Sequence, residues 1–215
     1  LAAAGTGDEL MLGGGTFTLT SQLTVDEEVT ITGAGEGSTT IETAATSWGI
    51  HVTADNTTIS DLTVDASATT FYGVKVNPDD SSDPTDSLTN FLMEDVTVTG
   101  ANRSEIDLNG VDNSVLRNVT ADGDGTAGVG VALSDSTDIT VEDLTTQNNN
   151  WGGVGLYSKG GTWEAGTNNV TFTGSYTSIG ESVGIYADEE DTPGTGAKTT
   201  VDAIENQVGS VVRLE

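Results

Sequence analysis

A short strand that opens on glycine or a polar residue and continues in apolar alternation recurs six times in this 215-residue chain. The copies are Gly49-Ile50-His51-Val52, Gly73-Val74-Lys75-Val76, Glu105-Ile106-Asp107-Leu108, Gly128-Val129-Gly130-Val131, Gly153-Val154-Gly155-Leu156 and Gly184-Ile185-Tyr186-Ala187. Counted from Ile50, they lie 24, 32, 23, 25 and 31 residues apart. A second alternating strand follows each of the first five, at 59–64, 93–98, 116–121, 141–146 and, more weakly, 172–176. Two independent motifs therefore share one period. A period of this length, holding two or three short strands with turn residues between them, is one coil of a parallel β-solenoid. Leucine-rich repeats share the period but need a leucine-dominated consensus and helical segments, and no helical stretch is evident before the C-terminus. Stacking coils at about 4.8 Å sets equivalent residues in columns. Ile50, Val74, Ile106, Val129, Val154 and Ile185 form one inward ladder, Val52, Val76, Leu108, Val131 and Leu156 a second, and Leu62, Val96, Val119 and Leu144 a third.

Composition narrows the partners. With 34 acidic residues against 6 basic ones the formal charge is −28, and such a polyanion repels phosphate backbones and anionic membranes. No run reaches the roughly 20 apolar residues of a membrane span. The absence of cysteine removes disulfides, thiolate nucleophiles and zinc-thiolate sites. Low hydrophobicity with high charge is the usual signature of disorder, but the repeats argue for a fold. The acidic excess resembles that of proteins from salt-loving archaea. In molar salt the Debye length falls to about 3 Å and screens the self-repulsion. High salt is thus expected for stability, and the expected location is extracellular or on the cell surface of a halophilic archaeon. A calcium-loaded extracellular protein is the rival reading. Leu1 is not an initiator methionine, so the sequence reads as a processed or excised segment.

The opening coils carry Gly13-Gly14-Gly15-Thr16-Phe17-Thr18-Leu19-Thr20, then Leu23-Thr24-Val25, then Val29-Thr30-Ile31-Thr32-Gly33-Ala34-Gly35. With the repeats, they make residues 9 to 187 resemble the right-handed parallel β-helix proteins of the pectate-lyase-like superfamily. The resemblance implies an all-β, right-handed, single-stranded parallel β-helix of about seven coils, in one domain over residues 1–215. It also implies an N-terminal cap, for which only 1–8 could be a short remnant. Val201, Ile204, Val208, Val211 and Leu214, within 199–215, suit a C-terminal cap or a last irregular coil. Superfamily members include lyases, hydrolases, epimerases, tailspikes, adhesins and inert surface proteins, so the resemblance is specific for architecture and open as to chemistry.

Candidate site residues gather around the first strand. Long coils place insertions at 77–89, 158–168 and 188–198 after it, where a solenoid builds a wall for binding. Tyr157 and Trp163 at the second insertion, beside the polar Lys159, suit sugar binding by ring stacking. His51, Lys75 and Asp107 form an outward column continued by Gly130, Gly155 and Tyr186, with Arg103 and Glu105 beside it and Trp48 and Tyr72 at the strand starts. The resemblance implies uronate-polymer chemistry: Lys75 or His51 as base, Arg103 pairing with the uronate, and Glu105 and Asp107 holding calcium or tuning the cations. Against it stands the plain reading of surface ion pairs, and the chain lacks the motifs of polygalacturonases and classical pectate lyases. Asp61, Asp95, Asn118 and Asp143 stack at one corner, a place where these residue types adopt left-handed backbone. Two functions follow. One is a β-helix that binds or processes an acidic polysaccharide along one sheet face, with no cofactor required unless calcium serves. The other is a structural protein, adhesin or filament subunit that self-associates through its coil ends.

Overall fold

The computed structural model describes residues 4–68, 71–79, 86–157 and 167–187, and the backbone of 201–204, 207–208 and 212–214. Those residues are strands and turns, without helix. Every strand pairing is parallel, as expected when each coil lies one turn above its predecessor. An eight-stranded sheet takes the first strand of each coil: Leu23–Val25, Trp48–Val52, Tyr72–Val76, Ser104–Asn109, Val129–Ser134, Gly152–Tyr157, Ile185–Ala187 and Val212–Leu214. A twelve-stranded sheet runs from Asp8–Met11 through Thr58–Asp65, Leu92–Thr99, Val111–Asp122, Thr137–Gln147 and Asn168–Ile179 to Val201–Ile204.

The second sheet bends where one residue per coil turns left-handed. Asp61, Asp95, Asn118 and Asp143 have φ of 56°, 55°, 48° and 53°, and Gly174 continues the column at 68°. Asp and Asn tolerate this conformation because a short polar side chain bonds locally. A second left-handed column, Asn56, Asn90, Asn113, Asp138 and Asn169, runs five residues ahead of the first. Its amides pass hydrogen bonds between coils: Asn90 Nδ2 donates to Asn56 Oδ1 at 2.9 Å and Asn169 Nδ2 to Asp138 Oδ1 at 3.0 Å.

Between the sheets one apolar cluster extends from Val25 to Ala187. The third ladder is in the expected register, Leu62 to Val96 to Val119 to Leu144. The first two ladders need a correction at the fourth coil. Ile106 pairs with Val131, not Val129, and Leu108 pairs with Leu133, not Val131. A slip of two residues keeps inward and outward positions unchanged, so alternation alone cannot detect it. The correction moves Ala132, not Gly130, beside Asp107.

The ends also differ from expectation. Asp8, placed in the cap remnant by sequence, begins a strand paired with Val29–Thr32. Leu10, Met11 and Phe17 of the opening strands are exposed. At the other end Val201–Ile204, Gln207–Val208 and Val212–Leu214 are strands paired onto preceding strands, where the apolar spacing also allowed a helix.

Candidate functional site

The outward surface of the eight-stranded sheet is built by three rows of side chains. The turn before each strand stacks through backbone bonds, with Phe71 N–H donating to Ser47, Arg103 N–H to Phe71, Gly128 N–H to Arg103 and Trp151 N–H to Gly128. Next comes the row Trp48, Tyr72, Ser104, Val129 and Gly152. The middle row is Thr24, His51, Lys75, Asp107, Ala132, Gly155 and Tyr186.

At the N-terminal part of this face His51 is held on both nitrogens. Gln22 Nε2 lies 3.3 Å from its Nδ1 and Asn77 Oδ1 lies 2.9 Å from its Nε2. The amide donor and amide acceptor together set the tautomer with hydrogen on Nε2. Burial pushes the imidazole pKa down, the Asn77 bond opposes this, and the nearby Lys75 ammonium lowers it further. The Trp48 ring packs edge-on against the imidazole at 4.3 Å between centroids.

One coil on, Lys75 and Asp107 form an ion pair that is almost wholly buried. Sequence placed both in an exposed column; the Tyr72 ring, with its centroid 5.3 Å from Lys75 Nζ, helps to cover them. Burial, and then the charge of Asp107, push the Tyr72 phenol pKa up. Arg103 also packs on this ring, its guanidinium carbon 5.5 Å from the centroid, and is exposed. Among the Lys and Arg side chains described, Lys75 and Arg117 have carboxylate partners and Arg103 has none.

Beyond Arg103 the face drops. Gly128, Val129, Ala132 and Ser134 floor a cavity of about 300 Å³ between Arg103 and Asp107 on one side and Trp151 and Tyr157 on the other. Trp151 and Tyr157 lie nearly parallel at 6.4 Å, and Tyr186 packs edge-on against Trp151 at 4.9 Å. Gly155 admits this wall, since a Cβ there would lie 2.4 Å from Tyr157 Oη. Sequence reasoning missed Trp151, whose signal was its place in the same pre-strand turn as Phe71 and Arg103.

Of the sequence-derived site residues, the structure brings Tyr72, Lys75, Arg103 and Asp107 together, with Trp48 and His51 one coil earlier and Tyr157 across the cavity. Lys159 and Trp163 lie outside the described residues. Glu105 does not meet Asp107, although their spacing placed both on one face. The strand alternation breaks at the corner, and the Glu105 carboxyl folds beneath the 100–101 turn, where the Ala101 N–H donates to its oxygens at 3.0 and 3.1 Å. Burial, with Asp122 and Asp124 adding to it, pushes the Glu105 pKa up to about 9. Glu105 is thus engaged by the 100–101 turn while Asp107 is engaged by Lys75. Among the described residues no three acidic or histidine side chains converge as a metal site.

A family model for the right-handed β-helix region matches residues 48–201. The chain belongs to that family. A comparison with curated proteins found no match. Solved structures share the β-helix at low identity. The A-module of a mannuronan C-5 epimerase from Azotobacter vinelandii is 18% identical with a TM-score of 0.72, over 93% of this chain and 54% of that one. A tailspike from Acinetobacter baumannii bacteriophage Fri1, a capsular polysaccharide depolymerase, is 16% identical with a TM-score of 0.64, over 90% and 38%. The catalytic unit of a Streptomyces thermodiastaticus α-1,3-glucanase is 14% identical with a TM-score of 0.64, over 95% and 41%. This β-helix thus spans about half the epimerase module and a smaller part of the other two.

Proposed function

We propose that this β-helix binds an acidic glycan on the eight-stranded sheet, with a uronate carboxylate on Arg103 and a sugar ring against Trp151 and Tyr157. The observation that carries the reading is the cavity of about 300 Å³ that separates the exposed, carboxylate-free Arg103 from that aromatic wall. A planar guanidinium matches a carboxylate bidentately, and aromatic faces pack the apolar side of a sugar. The compared structures, an epimerase of mannuronan, a capsular polysaccharide depolymerase and a glucanase, support a polysaccharide ligand for this scaffold. The remaining acidic surface suits a protein that works outside the cell in concentrated salt, where a polyanion meets an acidic polymer with its long-range repulsion screened.

Binding is favoured over turnover by the state of the two candidate bases. For Lys75 to take a proton, its ammonium must leave Asp107 and first lose a proton itself. His51 offers Nδ1 to Gln22 and spends Nε2 on Asn77. The test is calorimetric titration of oligouronates in molar sodium chloride, with neutral oligosaccharides of equal length as control. Micromolar to millimolar binding of the acidic series alone is expected. Equal binding of both series would sink the uronate reading, and formation of an unsaturated, ultraviolet-absorbing product would overturn the non-catalytic one.

A second reading, end-to-end stacking, draws on exposed Leu10, Met11 and Phe17 at the opening strands, which lie at sheet edges. Light scattering that stays monomeric over a wide concentration range in high salt would eliminate it.

A further inference from the structure

Glu105 interrupts a run of glycines at one position of five adjacent coils. The same place in neighbouring coils is held by Gly49, Gly73, Gly130 and Gly153. A Cβ would meet the Gly73 carbonyl oxygen at 2.6 Å in the first, Val98 Cγ1 at 2.4 Å in the second, Asn149 Nδ2 at 2.8 Å in the third and Tyr176 Oη at 2.3 Å in the fourth. An added side chain would therefore force a neighbour to shift at this corner in all four coils. In the coil between, the corner is made of Gly100 and Ala101, and a complete carboxyl group occupies it with no exposure at all. Its oxygens receive the Ala101 N–H, while the Gly100 N–H bonds the Asp122 carbonyl of the next coil.

The turn so anchored leads directly into Arg103. Gly100 has a φ of +82°, Ala101 is buried, and two residues later Arg103 emerges at the cavity rim. Arg103 N–H is bonded to Phe71, and its carbonyl accepts from Gly128 and Val129, so a shift of this turn would be transmitted to both neighbouring coils. A buried carboxyl facing Asp122 and Asp124 is expensive to keep, whereas glycine is what stacking otherwise selects here.

We propose that Glu105 is a positioning residue, whose carboxyl ties down the 100–101 turn so that Arg103 is presented over the cavity. Its use for ligand recognition rests on the glycan reading; its effect on the turn does not.

The experiment is a double-mutant cycle with oligouronate as the probe. Glu105→Gly, which restores the column, is expected to weaken binding by about tenfold in wild type and to leave Arg103→Ala unchanged, while Glu105→Gln keeps binding within about threefold. An equal loss in both backgrounds would overturn the proposal, as would no loss in either. Hydrogen exchange supplies a readout without ligand. Faster exchange at residues 100–104 in Glu105→Gly, with the Val111–Asp122 strand unchanged, is expected, and unchanged exchange at the turn would overturn the proposal even if oligouronates bind. If wild type binds no oligouronate, the glycan reading fails, and hydrogen exchange alone decides the positioning claim. Glu105→Ala, which keeps the Cβ this coil already accommodates, guards against misfolding. If neither truncation folds, Glu105 is a core residue and not a positioning one.

Discussion

The two faces of this solenoid obey the same register and use it in opposite ways. On the twelve-stranded sheet one residue type persists from coil to coil. Thr40, Thr63, Thr97, Thr120, Thr145 and Thr177 are paired in sequence, and Arg117 reaches Glu94 at 2.6 Å and Glu142 at 2.7 Å in its neighbours. On the eight-stranded sheet the middle row changes at every step, from His51 to Lys75, Asp107, Ala132, Gly155 and Tyr186. Repetition is what stacking rewards, because like side chains bridge coils and exposed threonines suit a pleated surface. A row that never repeats is under some other demand. The contrast supports the proposal that a ligand binds the irregular face, with the cavity and Arg103 at its centre.

The largest expected effect falls on the one carboxyl that breaks the glycine column. Because the folded state raises the Glu105 pKa to about 9, its contribution to stability is complete below the unfolded value near 4.5. That contribution is lost progressively as pH rises to about 9. Glu105→Gln removes the slope. Urea titrations from pH 4 to 9 are expected to show wild type losing, relative to the variant, on the order of 5 kcal/mol at most. Parallel pH profiles would contradict the buried, neutral carboxyl.

Next, charge reversal should distinguish the faces. Arg103→Glu is expected to reduce oligouronate affinity by about a hundredfold, whereas Thr120→Glu on the repeating face should change it less than twofold. Equal losses would mean that overall charge governs binding, without a located site. Trp151→Ala is expected to cost about tenfold, together with loss of ligand-induced quenching of tryptophan fluorescence.

The corner provides a smaller, structural effect. Asn118→Gly should be nearly neutral and Asn118→Val should destabilise by about 1–2 kcal/mol, since a β-branched residue resists the φ of 48° found there. At the bottom of the scale stands Arg117→Ala. Its ion pairs are solvent-exposed, and the melting temperature in molar salt should not move measurably.

Legibility followed the same division between faces. The third ladder and the left-handed corner at Asp61, Asp95, Asn118 and Asp143 could be read because repetition is visible in one dimension. The Asn56, Asn90, Asn113, Asp138 and Asn169 column was equally available, five residues ahead of the first, and needed only that offset to be noticed. The slip at Val131 was not legible, since a two-residue shift preserves inward and outward parity. In the site, sequence placed His51, Lys75 and Asp107 side by side because they share one strand position. Burial of the Lys75–Asp107 pair beneath Tyr72 depends on how a ring folds across coils, and the withdrawal of Glu105 depends on space at a corner. Neither leaves a trace in spacing. Trp151 escaped because its importance comes from Gly128 and Ala132, whose small size opens the cavity it walls.

Under the proposed function, the Arg103 guanidinium on the irregular face selects an acidic ligand. Calorimetric titration in molar sodium chloride of wild type and Arg103→Ala, each with an oligouronate and a neutral oligosaccharide of equal length, tests it most directly. Wild type is expected to prefer the oligouronate by at least about tenfold, and Arg103→Ala to erase the preference while keeping a folded, cooperative melt. A preference of the same size in both proteins would contradict it.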